Sequence, residues 1–171
     1  MDQEVRIVFT AGTRWMSRAI RWVLRSEVSH VFVEYPSGVW GGRWAAEATK
    51  GGVRKVPASK ARKHVHSEFI VKFDPTPGFV AVRKYFGAEY DYVGAAILGF
   101  LALLWRWFRV KVRHPLRASK AQFCSEFVSR LLMGVDAVQV SDWDPEKSGP
   151  DRLLRFLRRH PELFHSVRRE A

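Results

Sequence analysis

Cys124 is the only cysteine in the chain, and it stands in Gln122-Phe123-Cys124-Ser125-Glu126-Phe127-Val128, where a stretch of helical apolar spacing opens. Ser119 and Gln122 have the S-x-x-Q spacing of a capping box, which predicts that the sulfur lies near a helix N-terminus. Free backbone N–H groups and the helix dipole favour a thiolate there. A thiolate is a nucleophile, and it needs a base and a group that orients the base.

Six histidines compete for the role of base. His64 and His66 lie in or beside the basic segment 60–63, His114 precedes Pro115, and His160 and His165 fall in a charged C-terminal tail. His30 alone stands between a loop and an apolar strand, where a sheet fixes the side chain while one side still faces a cleft. For the orienting group, Glu47 lies among Trp44, Ala45, Ala46 and Ala48, a carboxylate that is expensive to bury without a partner. If the strands carrying His30 and Glu47 pair through a turn at Pro36-Ser37-Gly38, position 30 faces roughly position 44, and a bulge at Gly41-Gly42 shifts it toward 46 or 47. Each residue also has a plainer reading. A lone cysteine on an apolar helix face is commonly inert core, a lone histidine at a strand start is commonly structural, and a glutamate at a strand end is commonly solvated. Spacing alone leaves both readings open.

The elements that must position these residues follow from periodicity and turn signals. Strands are expected over 4–10, 29–35, 39–49, 53–56 and 65–73, and helices over 13–25 (with Thr13 as cap), from Pro75-Thr76-Pro77 to about 86, over 121–133 and over 151–159. The order is strand, helix, several antiparallel strands, then helices. That predicts an α+β protein with an antiparallel sheet packed against helices. The chain has 171 residues, 47% of them apolar, which suits one domain over 1–171.

Between these elements, residues 93–105 carry no charge but fall short of the roughly twenty that span a bilayer. Trp105, Trp107 and Phe108 follow among Arg106, Arg109 and Lys111, which reads either as a core helix with a solvated basic end or as an interfacial anchor; no transmembrane span is expected.

A net charge of +12 draws the protein toward polyanions, so an anionic polymer or a membrane surface is the expected partner. Without zinc-finger spacing, an RNA-recognition signature or a Gly-rich phosphate loop, the charge is weak evidence for sequence-specific nucleic-acid binding, which is not expected. A single cysteine excludes an intrachain disulfide and a multi-cysteine metal site. The opening residues lack the basic and apolar regions of a secretory signal, which gives a cytoplasmic expectation, with delivery to the cell envelope by another route left open.

Taken in order, Ser29-His30-Val31, Ala46-Glu47-Ala48, Gly52-Val53, Tyr90-Asp91-Tyr92 and Phe123-Cys124-Ser125-Glu126-Phe127-Val128 resemble the circularly permuted papain-like hydrolases of the NlpC type, relatives of the lecithin:retinol acyltransferases. Histidine before cysteine is the permuted order. The resemblance covers about residues 5–135 and implies a permuted papain-like fold. It implies Cys124 as nucleophile, His30 as general base and acid, and Glu47 as the polar third member of a thiol hydrolase that works through an acyl-thioester. Tyr90, Tyr92 and Ser125 become candidates for the oxyanion or substrate side, and neither cofactor nor metal is required. Residues 98–119 exceed what the family core needs and suggest a lid, a lipid-contacting edge or a partner surface. Three functions follow: cleavage of an amide, such as a cell-wall peptide or a related small amide, in keeping with the wall-directed bacterial and phage members of the group; lipid acyl transfer or acyl-ester hydrolysis with the same residues; and a non-catalytic binding module.

Overall fold

In a computed structural model of the chain, residues 4–38, 41–49, 52–88, 124–138 and 149–169 are described. Strand β1 is Arg6–Thr10, and helix α1, Trp15–Leu24, lies in the connection to β2, His30–Pro36. Strands β3, Arg43–Thr49, and β4, Gly52–Pro57, follow, then the single turn α2, Ala58–Ala61, and β5, Val65–Val71. Helix α3 is Thr76–Val82 and ends in a 3-10 turn, Arg83–Tyr85. Helix α4, Cys124–Met133, a 3-10 turn at Asp136–Val138, helix α5, Pro150–Arg159, and strand β6, Phe164–Arg169, complete the described part. The strands form one sheet in the order β4-β3-β2-β1-β5-β6, with every neighbouring pair antiparallel. The protein is therefore α+β, as its alternating strands and amphipathic helices predict.

Period-two alternation divides the strand residues between two faces. Ile7, Phe9, Val31, Val33, Ala46, Ala48, Val53 and Phe69 join one core with Phe127, Val128, Leu131 and Leu132 of α4 and Leu153, Leu154 and Leu157 of α5. Each such leucine taken out of water contributes about 1.5–3 kcal/mol. The small Ala46 and Ala48 let α4 pack against β2 and β3. Val8, Phe32, Ala45 and Val65 form a second cluster. Two buried carboxylates, Glu34 and Glu68, are neutralised in an arginine network: Arg62 reaches Glu34 at 2.7 Å and Glu68 at 2.6 Å, Arg6 reaches Glu68 at 2.8 Å, and Arg43 also pairs with Glu34.

Helix α3 crosses α4 at a place where only small residues fit. A Cβ on Gly78 would lie 2.2 Å from the carbonyl oxygen of Leu131, and one on Gly134 would lie 2.9 Å from Gly78 Cα. This contact fixes the helix that carries Cys124.

Several expectations need correction. Helix α1 starts later than expected, its N-cap position is Arg14 with no side-chain cap bond, and Thr13 is not the cap. The expected strand over 39–49 begins only at Arg43, because Ser37 N–H bonds to Gly42 O at 3.0 Å and the connection spans residues 37–42. The helix from Thr76 shortens and tightens into a 3-10 turn. The C-terminal tail holding His165 is the edge strand β6, paired with β5. The capping pair Ser119 and Gln122, the apolar run 93–105, the basic-aromatic segment, His114 and the whole of 98–119 lie outside the described residues. Among the described residues, no helix is long and apolar enough to cross a membrane.

Candidate active site

His30 is the first residue of β2 and pairs with Thr10 of β1, but the β2–β3 ladder starts only at Val33↔Ala46. It therefore sits at an open corner of the sheet. Its ring lies beside Phe32, with centroids 6.2 Å apart, and its Nε2 is 3.4 Å from Oε2 of Glu47. The turn-centred estimate of position 44 for its neighbour missed because the 37–42 connection is longer than a tight turn. Glu47 meets His30 without a Gly41-Gly42 bulge inside β3.

Cys124 is the first described residue of α4. Its sulfur shares a side-chain hydrogen bond with His30 and accepts from the backbone N–H groups of Val31 and Ser125. Cys124 keeps 7% of its surface and the His30 side chain 24%, so the imidazole side is where the pair meets solvent. Ser125 is buried, and its contact with the sulfur is through its backbone N–H. Tyr90 and Tyr92 lie outside the described residues.

The electrostatics follow from this arrangement. Burial alone pushes the Cys124 thiol up, but the His30 charge, the His30 hydrogen bond and the two backbone donors outweigh it, so the thiol titrates below its ordinary value. Burial likewise opposes a charged His30. The Cys124 charge and hydrogen bond, reinforced by Glu47, reverse this and raise the imidazole to about 9. Near neutral pH the imidazole is thus charged, and its charge favours the thiolate form of Cys124. Glu47 is also pushed up by burial and pulled down more strongly by its bonds to His30 and Arg54, which keeps it ionised.

Arg54 is the member the sequence reading missed. It stands opposite Glu47 in the β3–β4 ladder and holds Oε1 with Nε at 3.0 Å and Nη2 at 2.8 Å. The signal was present in the opposite charges at 47 and 54, which face each other in the β3–β4 ladder, where such pairs are favoured. The Val31 donor is backbone and leaves no mark in residue type. The other described histidines lie elsewhere. His66 Nδ1 is 2.8 Å from Ser67 Oγ, His160 Nδ1 is 2.7 Å from Glu162, and His64 and His165 are exposed.

A cavity of about 300 Å³ is lined by Tyr35, Lys55, Thr76, Phe79, Arg83 and Phe86 among others; none of Cys124, His30 and Glu47 lines it. Comparison with family models found no match to this chain, and comparison with curated proteins found none either.

Proposed function

We propose that Cys124, His30 and Glu47 are the catalytic residues of a cysteine hydrolase of permuted papain-like fold, acting on an amide bond such as that of a cell-wall peptide. The observation that carries this reading is the hydrogen-bonded Cys124–His30 pair, with Glu47 on the imidazole and two backbone N–H groups on the sulfur. An inert core cysteine has no need of such partners.

In the proposed reaction the Cys124 thiolate attacks the carbonyl carbon and a C–S bond forms. The oxygen takes up the negative charge, and backbone N–H groups at the Cys124 end of α4 share it. His30 delivers its proton to the amine nitrogen as the C–N bond breaks, which leaves an acyl-thioester and a neutral imidazole. That imidazole takes a proton from water as the water oxygen attacks the thioester carbon. The C–S bond then breaks, releasing the acid and restoring the ion pair. Glu47 keeps the ring oriented and stabilises its charged form, and Arg54 positions Glu47.

A second reading, transfer or hydrolysis of a lipid acyl ester by the same residues, is favoured by the exposed Trp15, Met16 and Trp22 of α1. One experiment addresses both. The protein is exposed to an activated acyl ester and analysed by mass spectrometry, then assayed for peptide release from purified wall material. The proposal expects an acyl adduct on Cys124 that is absent from Cys124→Ala, and wall-peptide release that the same substitution abolishes. An adduct without release supports the ester reading; no adduct overturns both.

A further inference from the structure

Helix α1 contains no buried residue and no acidic residue, and Trp15, Met16 and Trp22 are 76%, 56% and 54% exposed. The spacing of its side chains is ordered. Arg14, Arg18, Arg21 and Arg25, counting the two residues that flank the helix, recur at helical spacing and form one stripe. Trp15, Ala19 and Trp22 form the stripe beside it, and Met16 and Val23 continue the apolar arc. Ile20, Leu24 and Ser17, on the remaining side, are half-buried, as are the bordering Arg21 and Val23, so the exposed face is made by Trp15, Met16, Ala19 and Trp22 beside Arg14, Arg18 and Arg25. A solvated surface helix does not need two exposed tryptophans, and a site for a hydrophilic polyanion does not need the apolar arc. Arginines bordering an exposed Trp/Met face match the boundary of an anionic bilayer, where indole rings sit at headgroup level and guanidinium groups meet lipid phosphates.

We propose that α1 is a docking surface for anionic lipid bilayers. The connection carrying α1 leaves β1 at Thr10 and enters β2 at His30, and those two residues are paired. Both ends of that connection therefore meet at the corner of the sheet that carries His30. The docking itself does not depend on the catalytic reading.

The test is co-sedimentation of the full chain with phosphatidylcholine vesicles, with and without phosphatidylglycerol, for the wild type, Trp15→Ser, and Arg18→Gln. Both side chains are exposed, so thermal melts and the Cys124 alkylation rate should match the wild type. The proposal expects binding only to the phosphatidylglycerol vesicles, weakened by added salt. It expects partitioning to drop about tenfold or more in Trp15→Ser, since an apolar ring is withdrawn from the interface, and about fivefold in Arg18→Gln. Absence of binding, or binding that neither substitution changes, overturns the proposal; the latter would put lipid contact on another surface. Binding to heparin that Trp15→Ser leaves unchanged, with no binding to vesicles, also overturns it and makes the helix a polyanion site. Self-association abolished by Trp15→Ser without vesicle binding overturns it in favour of a second copy of the chain.

Discussion

Glu47 and Arg54 face each other across the β3–β4 ladder, and the guanidinium bonds one carboxylate oxygen through both Nε and Nη2. The second oxygen is left for His30. On the proposed reading Arg54 is a positioning residue: it restrains the carboxylate that holds His30 and helps keep it ionised. Arg54→Gln should raise the Glu47 titration, read by carbon NMR of the carboxyl, and lower kcat more than it changes KM. Arg54→Lys should restore part of the titration shift but not the two-point hold. An unchanged Glu47 titration in Arg54→Gln would remove this role.

The charge on His30 has a ranked set of causes. Cys124 opposes burial more strongly than Glu47 does. Imidazole titration by NMR should therefore fall from about 9 in both Glu47→Gln and Cys124→Ala, and further in Cys124→Ala. The reverse order would mean that the thiolate is not the main partner of the ring.

Acid stability should trace to the carboxylates. In Glu68, as in Glu47, burial raises the pKa but bonds to arginine, or to His30 and Arg54 for Glu47, lower it further. A depressed folded-state pKa contributes stability that is complete above the unfolded value of 4.5 and disappears as pH falls through the lower folded value. Denaturant midpoints should hold steady from neutral pH to about 4.5 and then drop, with a shallower acid slope in Glu68→Gln. An acid slope unaltered by Glu68→Gln would place the titrating groups elsewhere.

The α3–α4 crossing should be intolerant of one methyl group. In Gly78→Ala the new Cβ meets a backbone oxygen, which cannot rotate aside, so the helices must separate. The expected cost is about 1–3 kcal/mol in denaturant unfolding. The same shift moves α4 and so slows Cys124 alkylation. A variant with wild-type stability would show that the crossing is looser than its geometry implies.

The parts of the fold that were legible in sequence were those with strong local patterns. The alternation of Ile7 and Phe9 or of Val31 and Val33 marks strands, and the apolar spacing of Phe127, Val128, Leu131 and Leu132 marks the cysteine helix. Edge strand β6 was hidden because Phe164-His165-Ser166-Val167-Arg168-Arg169 is as polar as a tail, and its pairing with β5 is a tertiary choice. At the site, Cys124, His30 and Glu47 could be named from residue type and order. Their distances could not, because the register across residues 37–42 depends on a connection whose length no turn motif sets. Arg54 required reading the β3–β4 hairpin as a charge pairing. The Val31 donor required the three-dimensional approach of α4 to β2.

The most direct test is the rate of Cys124 alkylation by iodoacetamide as a function of pH, in the wild type and in His30→Ala. The account predicts a wild-type inflection below the ordinary thiol value of 9.0, with the reactive plateau shifted to lower pH accordingly. In His30→Ala the plateau should vanish and the inflection should move upward, because burial then acts on the thiol without the imidazolium. A wild-type inflection at or above the ordinary value, or one that His30→Ala leaves in place, would contradict the thiolate–imidazolium pair.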